Sequence, residues 1–354
     1  MLSIKIEVVM KISYAKYSLE LKHQFTISFS TRKFTSIVII RLEQNGIFGY
    51  GEASLPPYLP EDQESVVRFL SKVELHDLKN YDDLIDNLEN INKISCADQA
   101  AKASIDIALH DLLGKIQNQS CSQIYNLHFA QLPLTSFTIG IDNEDVIKQK
   151  VSEADEFKIL KIKLGTDHDK QIINMIRQLT DKPLYVDANQ GWDKKEKALE
   201  MIEWLSKQNV VLVEQPMPKT NFSDTKWLTA NSPLPIIADE SFQLFDDLER
   251  VKETFSGINV KLMKCTGIRE AYRIIMKAKE CGLKIMLGCM TETSCGISAA
   301  IQLASLADFA DLDGNQLIKN DPFATKTVQE GRLITSSRPG LGVDLTNTID
   351  FVEI

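Results

Sequence analysis

Apolar and polar positions follow two different rhythms along this 354-residue chain. From about residue 3 to 60, short runs such as SIVIIRLE and IFGYGEA read as strands, and Asn45-Gly46 between them is a tight hairpin-turn signal. A Pro-rich loop, SLPPYLPEDQES, follows. From 61 to about 127 the spacing becomes helical: in DQAAKASIDIALHDLLGKI, Ala101, Ile105, Ala108, Leu109 and Leu112 recur on one face. An α+β unit is predicted. Beyond about 133, short apolar strands alternate with amphipathic stretches such as KKEKALEMIEWLSKQ. The strands end near Thr138, Lys163, Asp187, Glu214, Asp239, Lys261, Gly288 and Asp311, 22 to 27 residues apart. Eight evenly spaced strand–helix units predict a closed parallel barrel rather than an open sheet.

Composition narrows the function classes. The formal charge of −9 and pI near 5.2 argue against a general nucleic-acid or anionic-membrane surface. No apolar run has the length of a membrane span. The N-terminal stretch mixes charges with short apolar pairs, unlike a signal peptide. Six cysteines without zinc-type spacing read as reduced thiols of a cytoplasmic protein.

Within FKILKIKLG, Lys161 and Lys163 are two apart and so share one face of a strand. Taken alone this suits an edge strand with its lysines in water. The other strand ends change that reading, because in a parallel barrel all of them meet at one mouth. The third to fifth strands each end in a carboxylate, Asp187, Glu214 and Asp239, flanked by Lys163 on the second and Lys261 on the sixth. A single such Asp serves equally well as a helix N-cap. Three together repel unless a cation joins them, and all-oxygen ligation suits magnesium or manganese.

The motifs KIK (161–163), DANQGW (187–192), VEQP (213–216), ADES (238–241) and NVKLMK (259–264) resemble those of the enolase superfamily, muconate-lactonizing-enzyme subgroup. The resemblance spans the chain, with GYGEAS and the Ala-rich helix similar to the family's capping domain. It implies a (β/α)7β TIM-like barrel over residues 128–319. An α+β capping domain over 1–127 would be completed by the 320–354 tail. It makes Asp187, Glu214 and Asp239 the ligands of one magnesium ion, with manganese the other cation admitted. Lys163 and Lys261 become the acid/base pair, and Lys161 would offset charge on the substrate carboxylate. None of the five histidines falls at a late strand end, which disfavours the subgroup whose second base is a histidine.

Asp311 and Asp313 in ADLDG share a face at the end of the eighth strand, and as residues alone they suit an Asp-rich turn. The resemblance to dipeptide epimerases gives them the substrate's ammonium group. Thr138 and Glu292 are further substrate-contact candidates. The implied reaction is epimerisation at the Cα of a dipeptide's C-terminal residue, through a metal-stabilised enolate. The alternatives are a cycloisomerase, an o-succinylbenzoate synthase or an N-acylamino-acid racemase of the same subgroup, or a barrel that only binds. The small-molecule dipeptide is the expected partner, with neither nucleic acid nor membrane; a homo-oligomer stays open. Relatives acting on Ala-Glu carry a cap-loop arginine, where this chain has Phe29 or Ser30, with Arg32 and Lys33 close by. Phe29, Phe34 and Tyr58 then predict a hydrophobic or aromatic C-terminal residue.

Overall fold

The computed structural model describes residues 10–27, 30–129, 131–346 and 348–354. Three antiparallel strands open the fold: β1 (Lys11–Ile27), β2 (Ser30–Gln44) and β3 (Ile47–Leu55). Asn45 (φ 54°) and Gly46 (φ 79°) turn β2 into β3, both in the left-handed region that the sequence signal requires. Helices α1 (Gln63–Leu70), α2 (Tyr81–Ile94), α3 (Gln99–Ile116) and the short α4 (Cys121–Ile124) follow. A strand near the C-terminus, β14 (Val352–Glu353), pairs with β1 at Ser13 and Tyr14, so the chain's end completes this first sheet.

The barrel strands are β4 (Ser136–Ile139), β5 (Ile159–Lys163), β6 (Leu184–Asp187), β7 (Val210–Glu214), β8 (Ile236–Ala238), β9 (Gly257–Val260), β10 (Lys284–Gly288) and β11 (Phe309–Asp311). They pair in parallel in sequence order, and a bridge between Thr135 and Ala310 brings the two edges together. Helices between them form the outer layer: α5 (Glu144–Glu153), α6 (Asp169–Leu179), α7 (Lys195–Ser206), α8 (Phe222–Asn231), α9 (Leu248–Val251), α10 (Ile268–Glu280) and α11 (Ser294–Ile301). Two short strands, β12 (Val328–Gln329) and β13 (Arg332–Leu333), lie in the tail.

Strand alternation sorts the barrel residues into two environments. Leu160, Ile162, Val186, Val213, Ile258 and Leu287 pack outward in the main core. Tyr185, Leu212, Ile237 and Met286 point inward and form a separate apolar plug, packed by Ile159 and Phe309. Two residues beyond Tyr185, Leu212 and Ile237 stand Asp187, Glu214 and Asp239, charged residues of the mouth. Apolar filling below thus leaves the polar groups only the upper end.

Helix α3 differs from the one-faced helix its spacing predicts: it is buried nearly all round, Lys102, Asp106, His110 and Asp111 included. It lies between the first sheet and the barrel, so its polar residues serve as ties. Asp106 accepts from the backbone N–H of Ile268 (2.5 Å) and Arg269 (3.3 Å), capping α10 across the interface. Asp111 accepts from Tyr50 N–H and Leu341 N–H, joining β3 and the tail.

The contact of α3 with β3 depends on glycine. A Cβ on Gly51 would sit 2.0 Å from the Ser104 carbonyl oxygen and 2.9 Å from Ala108 N, both backbone. Overpacking of this kind costs about 1–3 kcal/mol. Because a backbone cannot rotate away, Gly51→Ala is expected at the upper end, read as a lower urea midpoint. A loss below about 0.5 kcal/mol would show that α3 shifts freely on its sheet.

Candidate active site

Register sets the first pairs of the site. Lys163 is the lateral partner of Asp187, and Asp187 of Glu214, so three strand ends bring their side chains to one level. Asp239 and Lys261 stand one residue beyond β8 and β9, and Asp311 closes β11. All the strand ends expected to carry chemistry therefore fall at this mouth. Lys163, Asp239, Lys261 and Asp311 line a cavity of about 270 Å³, together with Phe25, Arg32 and Tyr58 from the first unit, while Asp187 and Glu214 are fully buried behind that lining.

Asp187, Glu214 and Asp239 are buried, and each offers one oxygen within 4.8 Å of the others'. Their charge is offset from four sides. Lys161 Nζ lies 2.6 Å from Glu214 Oε2, 2.7 Å from Asp311 Oδ2 and 3.2 Å from Asp187 Oδ2. Lys163 holds Asp187 Oδ2 at 2.6 Å, and Lys261 holds Asp239 Oδ2 at 2.7 Å. Lys264 reaches Asp239 Oδ1 at 2.6 Å and donates to the carbonyls of Asp239, Phe242 and Asn259. Burial opposes the charge on Lys161, but Asp311, Glu214 and Asp187 outweigh it and hold the ammonium well above its usual pKa. Burial and then Asp187 push Glu214 up to about 7, despite its contact with Lys161. On Asp239 burial is overcome by Lys261 and Lys264, which keep it far below the usual carboxylate range.

The donor set fits a hard divalent cation: three buried carboxylates, one of them short of compensating charge, with Glu214 Oε2 making no hydrogen bond to a neutral donor. The loops after β6 and β7 are held in unusual backbone, with Asn189 (φ 42°), Gln190 (φ 66°) and Gln215 (φ 37°) in the left-handed region. This curvature lets Asn189 N–H donate to Asp187 Oδ1 (2.9 Å) and Gln215 Oε1 accept from Asp239 N–H (3.1 Å).

The Asp311–Asp313 pair is asymmetric. Asp311 is charged and engaged, accepting from Ser136 Oγ at 2.7 Å as well as Lys161. Asp313 accepts from the backbone N–H of Thr138 at 2.6 Å, and burial followed by Asp311 raises it to about 7. Thr138 thus lines the cavity and supports Asp313 through its main chain. Glu292 differs from expectation: its Oε1 accepts from Met290 N–H (2.7 Å), and it is not among the residues lining the cavity. It is buried toward the first unit, because the backbone bends back after Met290. Phe29 lies outside the described residues.

Lys264 and Asn259, which donates to Glu214 Oε1 at 2.8 Å, were visible in NVKLMK but carried no assigned role. Their spacing of two and three from Lys261 was the available signal. Arg32 is the larger surprise. Its guanidinium lies over Phe25 (5.0 Å) and Tyr58 (5.6 Å), and Nη2 donates to Thr291 Oγ1 at 3.1 Å. Among the described residues Nε has no hydrogen-bond partner, and burial lowers the group's pKa.

Comparison with known proteins agrees with this geometry. Residues 11–125 match the mandelate racemase / muconate lactonizing enzyme N-terminal domain, and residues 144–349 match the enolase C-terminal domain-like family. The chain is 49% identical to the L-Ala-D/L-Glu epimerase of Bacteroides thetaiotaomicron over 94% of its own length and 88% of that protein. It superimposes on a dipeptide epimerase from Cytophaga hutchinsonii solved with Mg and D-Ala-L-Val (TM-score 0.90, 25% identity, 98% and 100% of the two chains). A dipeptide epimerase from Enterococcus faecalis solved with Mg and L-Leu-L-Tyr gives 0.87 at 32% identity, over 95% and 99%.

Magnesium at a hundredfold excess over its dissociation constant is expected to stabilise the fold by about 2.7 kcal/mol. This would be read as a higher Tm than in EDTA. The gain should be largely lost in Glu214→Gln. Equal Tm values with and without magnesium would exclude the three carboxylates as its site.

Proposed function

The chain belongs to the mandelate racemase / muconate lactonizing enzyme family, and we propose that it is a dipeptide epimerase using two lysines on opposite faces of its substrate. The observation that carries this is the placement of Lys163 and Lys261. Their strands, β5 and β9, are four apart in the ring of eight, so the lysines face each other across the mouth with the carboxylate triad between.

A Cα placed between them loses its proton to one lysine, present as the free amine, and receives one from the other, present as ammonium, on the opposite face. The pair thereby exchanges roles between the two stereoisomers. Asp187, Glu214 and Asp239 would hold a magnesium ion, which when bound would supply positive charge against the substrate carboxylate and the charge that develops as the proton leaves. Lys161, fixed among three carboxylates, cannot serve as a base and instead keeps positive charge beside the reacting carboxylate. Asp313, with Asp311 beside it, takes the substrate's ammonium: a cation there offsets both the burial and the repulsion from Asp311 that raise Asp313. That pocket favours a free dipeptide over an N-acyl amino acid. Phe25, Arg32 and Tyr58 of the cap close the mouth against water.

Arg32 bears on the C-terminal side chain. The sequence-based expectation of a hydrophobic residue rests on the missing arginine at Phe29 or Ser30. It is supported by Phe25, Tyr58 and Leu59 in the cavity wall, and by the L-Tyr and L-Val peptides bound to the neighbours. Against it stands a buried guanidinium that, among the described residues, has no carboxylate in ion-pair range. An acidic side chain supplies that carboxylate, so we favour a Glu-type C-terminal residue. The 49% identical relative named for Ala-Glu accords with this.

Two outcomes check the reading. In deuterated water, Lys163→Ala and Lys261→Ala should each abolish epimerisation while leaving exchange of the α-proton of one stereoisomer; full epimerisation by either variant would refute the two-base mechanism. Loss of one partner of a buried charge pair costs about 2–5 kcal/mol. Arg32→Met is therefore expected to lower kcat/KM for Ala-Glu at least about thirtyfold while leaving Ala-Leu within about threefold. Wild-type preference for Ala-Leu or Ala-Phe would restore the hydrophobic reading.

A further inference from the structure

Glu52 on β3 and Glu292 after β10 are among the most completely buried acids of the protein, at 0% and 1% exposure. They come from opposite sides of the boundary between the first unit and the barrel. Glu52 Oε1 accepts from Thr293 N–H at 2.9 Å, and its Oε2 bonds Thr293 Oγ1. A Cβ on Gly296 would lie 2.5 Å from Glu52 Oε1 and 2.5 Å from Glu292 Oε2, so the two carboxyls converge over that glycine.

Neither acid forms an ion pair with a Lys, Arg or His among the described residues. The charged groups facing them do not compensate. Asp321, held by Ser294, adds a further negative charge to Glu52. Lys261, committed to Asp239, is the cation that acts on Glu292. Cys295 on α11 and Cys289 are held as neutral thiols by burial. On the far side of β3, Asp111 is already paired with Lys115. Two buried carboxyls in such surroundings cannot both ionise at neutral pH. Burial, then Glu292, carries Glu52 to about 8, and burial carries Glu292 to about 7.

The segment between the two acids has a task. Thr291 holds Arg32, and its own carbonyl accepts from Ser54 Oγ at 2.7 Å, two residues from Glu52 on the same strand. Met290 lines the cavity.

We propose that Glu52 and Glu292 share one proton across the boundary between cap and barrel, and that this pair positions the Met290–Thr293 segment on which Arg32 rests. The second half depends on Arg32 reading the substrate side chain, as proposed above; the first half does not. Once the proton is lost, two anions face each other without a counter-ion, the segment loosens, and Arg32 loses its support.

The sign follows from linkage. A carboxyl raised in the folded state above its ordinary 4.5 contributes stability that is complete below that value. The contribution fades as pH rises through about 8. Glu52→Gln keeps the shape and removes one of the two titrating carboxyls. Glu214 and Asp313 also lie near 7 and are common to both proteins, so the comparison is a difference. At pH 7 the infrared spectrum of the wild type minus that of Glu52→Gln is expected to show the C=O stretch of a protonated carboxylic acid, and this difference band should disappear by pH 9.5. Over the same range the wild-type Tm should fall further than that of the variant. KM for Ala-Glu should rise about tenfold between pH 7 and 9 in the wild type but not in the variant, with kcat of the two in step. Superimposable Tm profiles, or no titrating difference band, would overturn the shared proton. A titrating difference band with parallel KM profiles would overturn the link to Arg32. If no dipeptide is turned over, the link to Arg32 falls with the proposed function, while the infrared and Tm results still decide the pair. Should Glu52→Gln not fold, Glu292→Gln carries the same expectations.

Discussion

The structure depends on one electrostatic constraint: several carboxylates must be buried together without driving the barrel apart. Asp187, Glu214, Asp239 and Asp311 are each met by at least one of Lys161, Lys163, Lys261 and Lys264, at 2.6 to 2.7 Å. Removing Lys161 leaves Glu214 and Asp311 buried without an ion-pair partner among the described residues, which costs far more than the pairs themselves contribute. The residues are therefore interdependent, and the site is a balanced lattice of charge rather than a collection of ligands.

That balance is also what makes the site usable. Lys264 has four oxygen contacts and Lys161 three carboxylates, so both are fixed. Lys163 and Lys261 each hold one carboxylate oxygen and sit next to the open cavity. The less committed pair is the one that faces across the mouth. The apolar plug of Tyr185, Leu212, Ile237 and Met286 closes the barrel beneath them and keeps water from the lower side.

In the proposed reaction the cap contributes the parts that recognise rather than react. Arg32, Tyr58 and Phe25 form one wall of the cavity, and α3 locks their sheet to the barrel through Asp106 and Asp111. A cap docked through buried polar groups can close in only one way, because any other seating would strand those groups without partners.

Much of this was legible from spacing. The eight strand ends fall within one residue of the positions read from the chain, because fully buried parallel strands are short apolar runs that the interval between helices sets. The charged residues at those ends were legible for the same reason, since alternation of faces fixes Lys161 with Lys163 and each carboxylate with the inward side. Position in the third dimension was not. Arg32 is a cap residue whose reach into the cavity depends on how β1 and β2 pair, with Phe25 opposite it, and on Thr291 in the loop after β10, 259 residues away in sequence. Glu292 read as a mouth residue because it follows a barrel strand, yet the bend after Met290 turns it toward Glu52. The sequence by itself determined which residues carry charge and that they share the barrel mouth, because strand period and parallel closure are local rules. Which charge meets which partner was decided only by the tertiary structure, because an ion pair or a shared proton is a matter of a few ångströms between distant segments.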